Sequence, residues 1–69
     1  MKTIDARGLS CPEPVMLTAQ TIKQGESEFV VLADNNVAKE NITRYAQNNS
    51  YSVEVKEDNE EYTLHLVRE

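Results

Sequence analysis

The order of apolar and polar residues along the chain predicts a strand and then a helix in its first third. Residues 2–6 alternate as a short extended segment, which the turn-forming pair Arg7-Gly8 ends. Residues 12–24 carry apolar side chains at helical spacing, and Gly25 follows as a stop signal. The members of this helical stripe are Val15, Met16, Ala19 and Ile22.

The remainder of the chain predicts one more strand, one more helix and a hairpin. Residues 28–34, EFVVLAD, form an apolar, β-branched run typical of a central strand. A helix follows the N-cap candidates DNN, residues 34–36, and ends near NNS, residues 48–50, where Asn tolerates a left-handed backbone. Residues 51–55 and 62–67 alternate as an antiparallel pair around the polar turn KEDNE. The inward-facing residues of this hairpin are Tyr51, Val53, Val55, Tyr62, Leu64 and Leu66.

These elements occur in the order β-α-β-α-β-β. If each helix is a right-handed crossover between neighbouring parallel strands, both helices lie on the same face of the sheet. The predicted fold is therefore an α+β two-layer sandwich, with a mixed four-stranded sheet and both helices on one face. Residues 1–69 form a single domain, without repeats or linkers.

Composition limits the classes of function. A chain of 69 residues buries only about 60% of its unfolded surface, so we expect no internal cofactor cavity and no cofactor. Seven Lys and Arg against twelve Asp and Glu give a charge of -5 without any basic run, which disfavours direct nucleic-acid binding. Neither a membrane-length apolar run nor a signal-like N-terminus occurs, which predicts a cytoplasmic protein without membrane contact.

The single cysteine, Cys11, lies between the glycine turn and two prolines. It cannot form an intrachain disulfide, and a free thiol suits a reducing compartment. With Pro12 at the first helical position, Cys11 is the predicted N-cap, where the helix dipole favours a thiolate. Pro12 and Pro14 make the turn rigid but remove two N–H donors, and the Glu13 carboxylate opposes thiolate formation if it points at the sulfur. No ligand-spaced pair accompanies the cysteine, so no metal site is expected.

Each of these residues also has a purely structural interpretation. A lone cysteine is often a small buried hydrophobe. Asp5 is an ordinary turn residue in this interpretation, and Gly8 supplies either a positive φ angle or room for the loop. His65 is expected to be solvated or to contact a neighbouring strand rather than to act as a base, and Met16 is expected in the core.

The stretch DARGLSCPEPVM resembles the signature of the TusA-like (SirA-type) sulfur-carrier family. The pattern Asp-x-x-Gly-x-x-Cys-Pro-x-Pro is met by Asp5, Gly8, Cys11, Pro12 and Pro14. The resemblance implies that Cys11 carries sulfur as a persulfide. It also implies a cysteine desulfurase or rhodanese-type donor and an acceptor protein of a sulfur relay, with no metal or cofactor, and that Asp5 helps to shape the Cys11 loop.

Two stretches differ from the tRNA-thiolation members of that family. Those members commonly have an arginine soon after PVM and DDP after the second strand, whereas this chain has LTAQTIK and DNN. Its second half resembles the amino-terminal domain of the selenium-metabolism branch. The transferred element is therefore sulfur or selenium, and we expect a monomer or a domain of a longer chain.

Two functional hypotheses follow from the sequence. The first is a sulfur carrier of sulfurtransferase type, rather than a turnover enzyme, in which Cys11 relays a persulfide between proteins. The second is a non-catalytic interaction or regulatory domain, in which Cys11 only caps a helix. Substitution of Cys11 distinguishes them, because only the first hypothesis requires the thiol.

Overall fold

The computed structural model describes residues 1–10 and 12–69, and its elements follow the predicted order. The strands and helices are β1 (Lys2–Asp5), α1 (Glu13–Lys23), β2 (Glu28–Ala33), α2 (Asn36–Asn48), β3 (Tyr51–Asp58) and β4 (Glu61–Arg68). Together they form a mixed four-stranded sheet with two helices, which confirms the predicted α+β fold. No helix in the described part of the chain is long and apolar enough to cross a membrane.

The strand order is β1-β2-β4-β3. Strand β2 pairs parallel with β1 and antiparallel with β4, and β4 pairs antiparallel with β3. The prediction that each helix connects neighbouring strands is correct for α1 and wrong for α2, because β4 lies between β2 and β3. The side chains explain this order: β4 buries Leu64 and Leu66 completely, whereas β3 carries Glu54, Lys56 and Glu57, and charged residues suit an exposed edge.

The core lies between the helices and one face of the sheet. Phe29 and Val31 of β2 are fully buried beside Leu64 and Leu66 of β4, and Ile42 of α2 packs in the same cluster. Residues on the opposite sheet face are only partly covered: Val30 and His65, paired across β2 and β4, are both half-buried. One apolar layer thus joins both helices to the sheet.

The helix starting at residue 13 buries a face that overlaps only partly with the predicted one, since Val15 and Ile22 pack against the core but are not its most buried residues. Its buried side chains are Pro14, Thr18 and Thr21, while Met16 is 55% exposed, so the assignment of Met16 to the core is wrong. The two threonine hydroxyls donate to backbone carbonyls four residues earlier, at 3.0 and 2.9 Å. Because each buried hydroxyl has an acceptor within its own helix, threonine can face the core at little cost.

Two turns also differ in detail from the prediction. The β3–β4 connection is a two-residue turn in which Asn59 and Glu60 have φ angles of 52° and 65°, so the strands are longer than predicted. After α2, the positive φ of 66° falls on Ser50 rather than on an asparagine. The start of α2 agrees with the prediction, because Asn35 is the N-cap and accepts the Ala38 N–H at 2.7 Å.

Candidate functional site

The sequence-predicted site residues lie in one segment, which connects β1 to α1 at the carboxyl end of β1. Cys11 itself lies outside the described residues, but the N-cap of α1 is Pro12, so the prediction that Cys11 is the N-cap is wrong. The residues on either side of it are described, and most are exposed, including Gly8, Ser10, Pro12 and Glu13. These flanking residues make up the described part of the candidate site.

The first half of this segment is held by β2 and by the residue that follows it. The N–H of Ala6, a fully buried residue, donates to the Leu32 carbonyl at 2.9 Å. Gly8 has the predicted positive φ angle, 78°, and its N–H donates to Asp34 Oδ2 at 2.8 Å. These two hydrogen bonds extend the parallel β1–β2 pairing into the loop that leads to Cys11.

Arg7 is the centre of an exposed ion-pair cluster at the start of the loop, where it pairs with both Asp5 and Glu61. Asp5 Oδ1 accepts the backbone N–H of Arg7 at 3.1 Å and also Arg7 Nε at 2.9 Å. Arg7 Nη2 donates to Asp5 Oδ2 at 3.0 Å, and Nη1 reaches Glu61 Oε1 at 3.4 Å. The hydrogen bonds from Arg7 lower the pKa of Asp5 to about 2. In turn, the carboxylates of Asp5 and, to a smaller extent, Glu61 raise the pKa of Arg7.

Replacing Arg7 with alanine is expected to raise the pKa of Asp5 from about 2 towards 3.8, the ordinary value for this carboxyl group. Because the folded-state pKa is depressed, the stabilisation from this pair is present above the ordinary pKa and is lost as the pH falls through about 2. A titration of the Asp5 carboxyl carbon by NMR measures this change. Arg44→Ala, which removes an exposed arginine from α2, is the control and should leave the Asp5 midpoint unchanged; an unchanged midpoint in Arg7→Ala would contradict the expectation.

The second half of the segment begins α1 differently from the prediction. The helix begins at Glu13, so Pro12 precedes the first helical position and Pro14 occupies the second. Proline is tolerated throughout this first turn, because the N–H groups of a first helical turn have no partner within the helix and their loss breaks no hydrogen bond. The Pro12 carbonyl still accepts the Met16 N–H at 3.0 Å, and Pro14 is buried.

The start of α1 has fewer free backbone N–H donors for an anion than the sequence predicted. The Glu13 N–H donates to the Ser10 carbonyl at 2.9 Å. Pro12 and Pro14 have no N–H group. At this helix start the Glu13 N–H is thus already hydrogen-bonded, and neither proline can donate to an anion in its place.

A shallow apolar groove lies beside this turn. Its volume is about 140 Å³, and it is lined by Leu9, Glu13, Met16, Leu17 and Gln20. The exposure of Met16 thus places a flexible apolar side chain on the same side of α1 as Glu13, near the start of the helix.

Sequence reasoning missed two acidic residues that contact the loop. Asp34 is 26 residues from Gly8, and Glu61 is 54 residues from Arg7, so neither contact has a local sequence signal. For Asp34 an indirect signal exists, since it is the last residue of the strand predicted over residues 28–34. Glu61 belongs to β4, whose central position in the sheet was not predicted.

The remaining candidate side chain, His65, belongs to another part of the sheet. Its Nε2 lies 2.6 Å from Glu28 Oε2 on the face opposite the helices, which agrees with the predicted contact to a neighbouring strand. Across residues 1–10 and 12–69, no three His, Asp or Glu side chains are grouped so as to hold a metal ion. The side-chain contacts described around the loop are hydrogen bonds and ion pairs.

Comparisons with known proteins agree on one family. The family model described as "Sulfurtransferase TusA" matches residues 2–68. A protein of Methanocaldococcus jannaschii named "Putative sulfur carrier protein" is 41% identical over 63 residues, which cover 87% of this chain and 83% of the relative. The crystal structure of a SirA-like protein from Desulfitobacterium hafniense superposes with a TM-score of 0.87 at 32% identity, covering 97% of this chain and 96% of that one.

Proposed function

This chain belongs to the TusA sulfurtransferase family, and we propose on that basis that it is a sulfur carrier in which Cys11 holds the transferred atom as a persulfide. The donor is a cysteine desulfurase or a rhodanese-type protein, and the acceptor is another protein of a sulfur relay. The carrier is one reactant in each transfer and does not turn over a small-molecule substrate.

Each transfer is a thiol exchange in which bonds and electrons balance. The Cys11 thiolate attacks the terminal sulfur of the donor persulfide, so a new S–S bond forms on Cys11 as the donor S–S bond breaks. The donor cysteine leaves as a thiolate, and no external oxidant or reductant is consumed. An acceptor thiolate then attacks the terminal sulfur on Cys11 in the same way, and selenium in place of that sulfur would follow the same scheme.

The observation that carries this proposal is that the segment around Cys11 is both exposed and fixed. Gly8, Ser10, Pro12 and Glu13 are exposed, so a partner's sulfur can approach this turn. Hydrogen bonds to Gly8 on one side and to Glu13 on the other hold the backbone there. Protein-to-protein transfer needs both properties, because the two sulfur atoms must meet in a defined orientation without an enclosing cavity.

The other motif residues support the loop in this proposal. Asp5 orders the first turn through Arg7, and Gly8 allows the positive φ angle that brings its N–H to Asp34. Pro12 and Pro14 restrict the backbone at the helix start, and Glu13 closes the turn through its N–H. The domain of residues 1–69 carries the transferred atom, either as a monomer or as part of a longer chain, and a cytoplasmic location suits a carrier that must keep its thiol reduced.

Intact-mass spectrometry tests the proposal directly. The protein is incubated with a cysteine desulfurase and cysteine without reductant, and the adduct is then located by alkylation and peptide mapping. The expected result is a gain of one sulfur atom on Cys11 that dithiothreitol removes. No gain with several desulfurases and rhodanese-type donors, together with a thiol that alkylates only after unfolding, would overturn the proposal and favour an interaction domain.

A further inference from the structure

The Asp34 carboxylate lies at the point where the Cys11 loop passes the end of β2. Strands β1 and β2 are parallel with Asp5 opposite Leu32, so the chain that leaves β1 continues beside the residues that follow β2. Asp34 Oδ2 accepts the Gly8 N–H at 2.8 Å. This is a hydrogen bond from a neutral donor to a charged acceptor, which is stronger than one between neutral groups.

The other oxygen of the same carboxylate is engaged with the start of α2. Asp34 Oδ1 accepts Asn35 Nδ2 at 3.2 Å, and Asn35 Oδ1 in turn accepts the Ala38 N–H at 2.7 Å. Three consecutive hydrogen bonds therefore connect the first turn of α2 to Gly8. Because both oxygens have donors, the carboxylate cannot rotate to another position without losing one of these contacts.

Packing does not hold Gly8 in place. The residue is exposed, and a side chain at this position would meet no other atom within 4 Å. Its φ of 78° is one of many conformations that glycine can adopt. The hydrogen bond to Asp34 is therefore the contact that holds Gly8 itself, three residues before Cys11.

We propose that Asp34 is a positioning residue for sulfur transfer, which fixes the loop carrying Cys11 through the Gly8 N–H and ties it to the N-cap of α2. This inference rests on the proposed function, because it assigns Asp34 a role in the same transfer. Displacement of a reacting atom by about 1 Å can lower a rate by about a hundredfold. Loss of the Asp34 contact is therefore expected to slow the transfer step more than it weakens partner binding.

The test compares Asp34→Ala, Asp34→Asn and the control Glu57→Ala, which removes an equal charge from the exposed edge strand β3. Three quantities are measured: the rate of loading from a persulfide-bearing desulfurase, the pH profile of Cys11 alkylation by iodoacetamide, and hydrogen exchange of the Gly8 amide by NMR. In Asp34→Ala, loading at saturating carrier is expected to fall about ten- to a hundredfold with little change in KM. Hydrogen exchange of the Gly8 amide should accelerate, and the pH profile of Cys11 alkylation should shift relative to the wild type.

Asp34→Asn keeps an acceptor oxygen and should lie between Asp34→Ala and the wild type, whereas Glu57→Ala should match the wild type in all three measurements. If Asp34→Ala does not fold, Asp34→Asn decides: slower loading with faster Gly8 exchange supports the proposal, and wild-type values for both overturn it. A folded Asp34→Ala that loads and alkylates like the wild type also overturns it. If even the wild type accepts no sulfur, the proposed function has failed, and the alkylation profiles still decide whether Asp34 positions the loop.

Discussion

Replacing Cys11 with serine is expected to abolish sulfur loading completely while leaving the protein folded. The chain has one cysteine, so no other thiol can accept the sulfur in its place. A serine hydroxyl is not ionised near neutral pH and does not form the S–S bond on which the relay depends. The neighbouring backbone contacts, from Gly8 to Asp34 and from Glu13 to Ser10, do not involve the side chain that is changed.

The measurement uses a desulfurase supplied with radiolabelled cysteine, followed by non-reducing electrophoresis of the carrier. Ser10→Ala is the matched control, since it alters a neighbouring exposed side chain and keeps the thiol. Circular dichroism and thermal unfolding establish that both variants are folded. Label on folded Cys11→Ser at the level of the wild type would rule out the carrier role, and preserved partner activity in that variant would support the interaction domain.

The sequence was sufficient to predict the element order and most of the sheet face that forms the core. Alternation has a period of two, so Tyr51, Leu64 and Leu66 of the hairpin could be assigned to the core face without a structure, whereas the continuous apolar run of β2 allowed no such assignment. The position of β4 between β2 and β3 could not be predicted in this way. Strand order depends on which strands pair across the whole chain, whereas alternation describes each strand by itself.

The core face of α1 was mispredicted because residue type alone does not decide burial. Met16 was assigned to the core as an apolar residue, yet Thr18 and Thr21 occupy that face with their hydroxyls bonded inside the helix. The helix start shifted for a related reason. Pro12 is compatible with several positions in a first turn, so its presence fixes the start only to within about a residue.

The candidate site divides into a part that is local in sequence and a part that is not. Cys11, Gly8 and the two prolines stand out because they lie within one short motif. The support from Asp34 comes from pairing between β1 and β2, and it became visible only when that register was known. A motif can thus identify the reactive residue, whereas the groups that hold its loop are contributed by the fold.

Replacing Leu64 with alanine is expected to destabilise the domain by about 2–5 kcal/mol, the range observed when large aliphatic side chains are removed from cores. Leu64 is fully buried on the central strand β4, where it lies opposite Val31 on one side and Val55 on the other. A domain of this size has a free energy of unfolding of only about 3–10 kcal/mol. The loss is therefore a large share of the total.

Urea unfolding followed by circular dichroism measures this change, and the matched control is Val55→Ala. Val55 is the cross-strand neighbour of Leu64 on edge strand β3 but is 38% exposed, so its truncation removes less buried surface and should cost about 1 kcal/mol or less. A Leu64→Ala variant as stable as Val55→Ala would mean that the apolar layer between helices and sheet is not what stabilises the domain. The larger loss is expected because β4 is covered by a strand on each side and by the helical layer, whereas β3 has a paired neighbour on one side only.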